Sequence, residues 1–237
     1  TEDRGTYCTE LFCREALTFL DAHHEQPFFL YLPFNAPHGA SNLDPAIRSG
    51  AQATDEYRAK YPELAAEADY VRRDFRYEQN ARVRNTASKR LEYVASITCM
   101  DDCIGKVLER LEHYGVAENT IVIFFSDNGG SSAADNAPLR GRKAWMFEGG
   151  IRVPCLVRFP GRIPAGSTSD AFLSSLEIVP TLLNLCGVEP PSGVTFDGYD
   201  MLPVLADGMT SPRTEMYWQR RGDRAARVGD WKWVDSS

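Results

Sequence analysis

Apolar positions recur along the chain with two spacings, helical and strand-like, and these divide it into segments. Between Tyr7 and His24, Leu11, Phe12, Ala16, Leu17, Phe19 and Leu20 follow helical steps with charged residues on the other side, which predicts a helix. Gln26-Pro27 breaks it. Phe28 to Leu32 then read as a buried strand ending in the polar stretch Asn35-Ala36-Pro37-His38-Gly39. Residues 41–84 are polar, with Pro45 and Pro62 as punctuation, and read as a surface excursion with short helices that serves as lid, binding loop or decoration. From Ser88 to Tyr114, Leu91, Val94, Ile97, Ile104, Val107, Leu108 and Leu111 mark the clearest helix, and Gly115 supplies its stop. Asp101 and Asp102 lie within it. Adjacent helical side chains diverge by about 100°, so these two are read as polar-face residues or partners of a nearby loop rather than as joint ligands of one ion.

Thr120 to Gly130 are the stretch around which the second half of the chain is organised. Ile121 to Phe125 are β-branched or aromatic throughout, the signature of a strand buried on both faces in a parallel sheet. Ser126-Asp127-Asn128-Gly129-Gly130 close it abruptly. At the carboxyl end of a sheet strand, a carboxylate and an amide are candidates for a metal or anion site, and Asp-Asn-Gly is equally an ordinary turn. Val153 to Phe159 predict a third strand, Ala171 to Leu173 another short one, and Leu176 to Leu185 a helix with Pro180 near its first turn and Gly187 closing it. Glu215 to Gln219, Arg224 to Val228 and Trp231 to Val234 read as an antiparallel meander, with Gly229-Asp230 as a tight turn.

Composition narrows the function classes. The 237 residues carry 26 Lys and Arg against 33 Asp and Glu, a net charge of −7 without a long basic run, which argues against a nucleic-acid partner. The longest apolar run, Phe28 to Phe34, is seven residues, so no membrane span is predicted. Thr1 opens the chain without a leader-like stretch, so a targeting peptide is expected to be removed or to lie outside it. The six cysteines form no Cys-x-x-Cys pair; Cys99 and Cys103 share a helical spacing with no His nearby, which favours core packing over zinc. Trp145, Trp218, Trp231 and Trp233 are candidates for stacking on sugars, with core packing or a sheet seam the expectation for the last three.

Two further stretches carry chemistry. His38 comes after the first strand candidate, either as a surface loop residue or as a proton donor. In Leu139 to Gly150, Arg140, Arg142 and Lys143 crowd three cations into four positions beside glycines, which suits an oxyanion or a solvated basic loop.

Taken in order, these stretches resemble the type I, formylglycine-dependent sulfatases of the alkaline-phosphatase-like superfamily. Pro27 to Leu32 with Asn35-Ala36-Pro37-His38 is similar to that family's strand and histidine loop, and Met100-Asp101-Asp102-Cys103-Ile104-Gly105 resembles the helix before its central strand. Ser126-Asp127-Asn128-Gly129 matches the strand-end metal motif. Gly141-Arg142-Lys143 with Glu148-Gly149-Gly150-Ile151-Arg152-Val153-Pro154 resembles the lysine loop, while Pro180-Thr181-Leu182-Leu183 and Gly229-Asp230-Trp231-Lys232 match later landmarks.

The resemblance implies an α/β fold: a partial alkaline-phosphatase-like α/β/α sandwich over residues 1–212, and the beginning of a small C-terminal antiparallel sheet over 213–237. It implies a sulfuric ester hydrolase in which Asp127 and Asn128 bind a divalent cation, usually Ca2+, Lys143 holds a sulfate oxygen, and His38 binds the sulfate and protonates the leaving alcohol. It further implies a sulfated small molecule or glycan as substrate and a periplasmic, secreted or lysosomal-type compartment; oligomeric state stays open. Arg142 stands where a glycine is common and is a further candidate for the anion. Glu177 replaces the usual Asp and is read as a peripheral change.

One departure is large. The family's nucleophile is a formylglycine made in a Cys/Ser-x-Pro/Ala-x-Arg motif, and no Cys or Ser here heads one. Its paired first-strand aspartates and Lys-x-x-His region are missing too, so the chain resembles the middle and later part of a sulfatase, with the formylglycine expected upstream and the natural protein expected to continue past Ser237. The expectation for the 237 residues alone is neither aryl sulfate hydrolysis nor tight calcium binding. The alternatives are a phosphodiesterase or phosphonate hydrolase of the same superfamily, and a non-catalytic module that recognises sulfated glycans.

Overall fold

The computed structural model describes residues 5–39, 50–73 and 81–235. The chain divides into two units, one of residues 1–117 with 131–135 and the other of 118–130 with 136–237.

The first unit is helical. Helix α1 (Cys8–His23) turns Thr9, Cys13, Ala16 and Leu20 inward at steps of three and four, the stripe expected of an amphipathic helix. Two short helices, α2 (Asp55–Ala59) and α3 (Pro62–Arg73), come next, with Pro62 at the first position, where its missing N–H costs nothing. All three pack on α4 (Ala81–His113), which starts seven residues before the Ser88 read from the sequence. Pro45 lies outside the described residues. Cys13, Ala53, Tyr57, Ala95, Cys99 and Cys103 form the core between these helices, with Tyr7, Leu17, Phe34 and Tyr61 packed around it.

Polar pairs hold the excursion to α4. Glu92 accepts from Ala53 N at 2.8 Å and from Arg58 Nη1 at 2.9 Å, and Lys60 Nζ reaches Asp102 Oδ2 at 2.8 Å. Asp102 is thus a loop partner. The Lys60 bond holds its carboxyl below the ordinary range. Cys99 and Cys103 are buried core thiols as expected, and burial raises both above the usual thiol range.

The strand expected at Phe28–Leu32 is absent. The segment is extended, and its side chains alternate: Phe28 and Phe34 meet α1, with ring centroids 6.0 Å from Phe19 and 6.1 Å from Phe12, whereas Phe29 and Tyr31 are 75% and 73% exposed. A period of two without a hydrogen-bonded neighbour among the described residues gives extended backbone and no ladder.

The second unit carries the strands. β1 (Val122–Phe125) pairs with β2 (Cys155–Arg158) in an antiparallel register from Val122↔Arg158 to Phe125↔Cys155. The parallel, doubly buried strand expected here is therefore corrected: β1 is half-buried, and Phe125 is 39% exposed. Residues 126–154, which connect the two strands, contain only the one-turn helix α5 (Glu148–Ile151) and so lack the crossover helix that usually accompanies a parallel return. No strand forms at Ala171–Leu173.

A 3-10 turn at Ser175–Glu177 leads into α6 (Ile178–Leu185), and α7 (Leu202–Asp207) comes after it. β3 (Glu215–Arg220), β4 (Asp223–Val228) and β5 (Trp231–Asp235) then form the expected meander, turned at Gly229 with φ +55°. Its two faces differ. Trp218 is half-buried beside Phe172, with centroids 6.4 Å apart, but Trp231 and Trp233 are 85% and 57% exposed rather than packed as expected. No described helix is long and apolar enough to cross a membrane.

Candidate active site

The loop after β1 and the lysine loop are locked together through backbone. Gly129 N donates to Gly150 O at 2.9 Å, Lys143 N to Gly130 O at 2.9 Å, and Gly149 N to Arg140 O at 2.7 Å. Such packing needs residues without Cβ. A Cβ on Gly129 would stand 1.9 Å from Gly149 O, and one on Gly150 would stand 2.1 Å from Trp145 O. The glycines of both motifs are thus one steric requirement, which fixes Lys143 relative to Asp127 and Asn128.

Asn136 completes the lock. Its Oδ1 accepts from Gly130 N at 3.1 Å, while its Nδ2 donates to Gly130 O at 3.0 Å and to Gly141 O at 3.3 Å. The sequence pattern marks this residue only as part of a small-residue loop. Its one available signal is the Asn itself, a side chain able to act as donor and acceptor toward backbone.

Asp127 is exposed and Asn128 half-buried. Asn128 Nδ2 donates to Asp127 Oδ2, which leaves the amide oxygen and the second carboxylate oxygen available. These are the oxygen donors a hard cation takes, so the pair fits Ca2+ in kind. In number it supplies about two or three of the ~6–8 oxygens calcium uses. Among the described residues no group of three or more His, Cys, Asp or Glu is arranged to hold a metal.

Lys143 is half-buried, and its ammonium makes no hydrogen bond or ion pair among the described residues. Arg142 is exposed, with its guanidinium 5.5 Å from the centre of the Trp145 ring. Ala144, next to Lys143, has φ +79°, a left-handed conformation that disfavours any residue with a Cβ. Ala144→Gly is expected to raise stability by about 0.5–1 kcal/mol, the relief of strain less the added freedom of the unfolded chain. A rise in the urea midpoint at unchanged slope is the measurement that checks it.

His38 belongs to the first unit. His38 N donates to Asn35 O at 2.8 Å, Asn35 Nδ2 donates to His38 O at 3.3 Å, and the exposed ring has Nδ1 2.8 Å from Gly39 O. A carbonyl only accepts, so Nδ1 carries hydrogen and Nε2 is the nitrogen left for chemistry. Asp127, Asn128, Arg142 and Lys143 all lie in the second unit, on loops joined by the bonds above.

Known proteins are similar to this chain over most of its length. N-acetylgalactosamine-6-sulfatase of Homo sapiens is 32% identical over 243 residues, covering 96% of this chain and 39% of the relative; the Mus musculus protein is 29% identical over 241 residues with the same coverages. The chain thus spans about two fifths of the length of these curated relatives. A crystal structure of Ps i-CgsB with k-i-k-neocarrahexaose superposes with a TM-score of 0.75 at 30% identity, covering 97% of this chain and 46% of that one, and with it the alkaline-phosphatase-like fold class holds here. The model of the family described as Sulfatase matches residues 1–188, which contain both interlocked loops and the histidine loop, and the chain belongs to the sulfatase family.

Proposed function

We propose that this chain supplies the leaving-group and anion-holding side of a sulfuric ester hydrolase that acts on sulfated sugars. The observation that carries it is the bond from Lys143 N to Gly130 O: it fixes an unpaired ammonium on the same backbone scaffold as Asp127 and Asn128. In this reading Lys143 meets a nonbridging sulfate oxygen, where negative charge is greatest as the ester breaks. His38, with Nδ1–H held by Gly39 O, presents Nε2–H to the departing sugar oxygen and gives it a proton. Protonated His38 is the starting state, because a neutral ring with hydrogen on Nδ1 has nothing to donate from Nε2.

Asp127 and Asn128 would hold a divalent cation, calcium by the resemblance, whose charge would lower the cost of gathering anionic groups there. The remaining ligands and the formylglycine nucleophile are expected in sequence beyond these residues. Arg142 is a second candidate for the anion, since its guanidinium has no carboxylate partner among the described residues. The sugar class is suggested by the relatives named N-acetylgalactosamine-6-sulfatase. An exported or lysosomal setting accompanies the reading.

In the complete coding sequence, Lys143→Ala is expected to lower kcat/KM toward a chromogenic sulfate ester by about 10²–10³-fold, the usual cost of one charge-stabilising donor. His38→Ala is expected to lower kcat and to change the pH–rate profile, since the leaving oxygen loses its proton donor. Full activity in either variant overturns that residue's role. Faster turnover of the matching phosphate ester would assign the chain instead to the phosphodiesterase or phosphonate hydrolase branch.

A further inference from the structure

The loop that carries Lys143 also borders an open groove of about 440 Å3 whose far wall is formed by Lys232 and Val234 of β5. Pro138, Leu139 and Phe147 give the near wall an apolar surface, and three charged groups stand among them. Two of these charges cancel. Lys232 Nζ donates to Glu148 Oε1 at 2.5 Å, with the Lys232 side chain only 15% exposed. The third is uncompensated: Arg140 is exposed, makes no ion pair among the described residues, and has its guanidinium 4.1 Å from the centre of the Phe147 ring. A guanidinium settled on an aromatic ring loses less freedom when an anion binds, and its planar fork matches a sulfate or carboxylate.

Arg140 is also close to the candidate chemistry. Lys143 is three positions on, so their Cα atoms lie within ~11 Å even for a fully extended chain. Its carbonyl accepts from Gly149 N, so it belongs to the same locked backbone as the lysine. Apolar walls with one unpaired cation suit a sugar ring that carries an acidic group, and the place suits the next residue of a glycan whose neighbour reacts at Lys143.

We propose that this groove is a second sugar subsite, in which Arg140 binds the acidic substituent of the residue adjoining the one that is cleaved. The assignment rests on the reading of Lys143 as a sulfate holder, and the test separates the two. Two disaccharides of N-acetylgalactosamine, each with a 6-sulfate on one residue and differing in whether the other carries one, are titrated calorimetrically into the protein expressed from the complete coding sequence. The second sulfate is expected to tighten binding about tenfold, the order of one exposed charge-assisted contact. Arg140→Gln removes that gain and leaves affinity for the singly sulfated probe within about twofold, and Arg140→Lys restores part of the gain. The Arg140 Nε–H signal of the wild type, expected to shift with the doubly sulfated probe alone, keeps the test independent of how a variant folds. A gain that survives Arg140→Gln, or no gain in the wild type, overturns the subsite. Binding of the singly sulfated probe that Lys143→Ala leaves unchanged overturns the Lys143 reading instead, and failure of both probes to bind overturns the two together.

Discussion

Glu177→Ala is expected to lower stability by about 3–5 kcal/mol, the cost of leaving a buried charge without its partner. Glu177 is 1% exposed and Arg213 is 8% exposed. Arg213 Nε donates to Glu177 Oε1 at 2.8 Å, Nη2 donates to the same oxygen, and Nη2 also donates to Asp197 O at 3.0 Å. The other carboxylate oxygen accepts from Ser174 N and closes a capping box with the Ser174 hydroxyl, which accepts from Leu176 N at 3.3 Å. The Glu177 carbonyl takes the Thr181 hydroxyl at 2.6 Å, and Thr181 Oγ1 accepts from Met201 N at 2.8 Å. One residue thus ties the start of α6, the residues before α7 and the entry to β3. In Glu177→Ala the Arg213 guanidinium stays buried with the Asp197 carbonyl and the weakly accepting Met216 sulfur, and Ser174 N loses its acceptor. Urea unfolding followed by tryptophan fluorescence reads the loss. The double variant Glu177→Met with Arg213→Met is expected to recover most of it, since removing both charges also removes their desolvation cost. A single variant within about 1 kcal/mol of wild type would show that the pair contributes no more than an exposed one.

Glu177 also shows what the sequence could convey. Read as a peripheral departure from a family pattern, it is a buried carboxylate that accepts three hydrogen bonds. Nothing local to it in sequence announces Arg213, 36 positions on. The capping box Ser174-x-x-Glu177 joins residues three apart, whereas the Arg213 partner has no local counterpart in the sequence. The same division runs through the fold. α1, α4 and the β3–β4–β5 meander were readable because their periodicity and turn residues lie within each segment. Phe28–Leu32 and β1 were misread because an apolar run records burial tendency and not which strand, if any, lies alongside. Asp127, Asn128, Lys143, Arg142 and His38 became candidates through ordered motifs, whereas Asn136 needed coordinates, because its work is to join backbone groups that are brought together only by folding.

Gly129→Ala is expected to cost about 2–4 kcal/mol, the sum of overpacking against immovable atoms and a lost backbone hydrogen bond. The added Cβ would lie 1.9 Å from Gly149 O and 2.7 Å from Gly149 C, and both are backbone atoms that no rotamer change can move aside. Relief requires the lysine loop to withdraw, which breaks the 2.9 Å bond from Gly129 N to Gly150 O and loosens the neighbouring bond from Lys143 N to Gly130 O. Stability and anion binding should therefore fall together, an outcome that distinguishes this variant from Lys143→Ala, which removes the ammonium and leaves the backbone lock intact. Gly105→Ala provides the contrast. Gly105 sits inside α4 with nothing within 4 Å of the added Cβ, so that change is expected to stabilise the chain by about 0.5–1 kcal/mol. Hydrogen exchange at Lys143 N–H makes the comparison local: faster exchange in Gly129→Ala and unchanged exchange in Gly105→Ala is the expected pair. Protection at Lys143 that survives Gly129→Ala would mean that the two loops hold their places without the close backbone approach, and that the glycines are not what fixes the lysine beside Asp127 and Asn128.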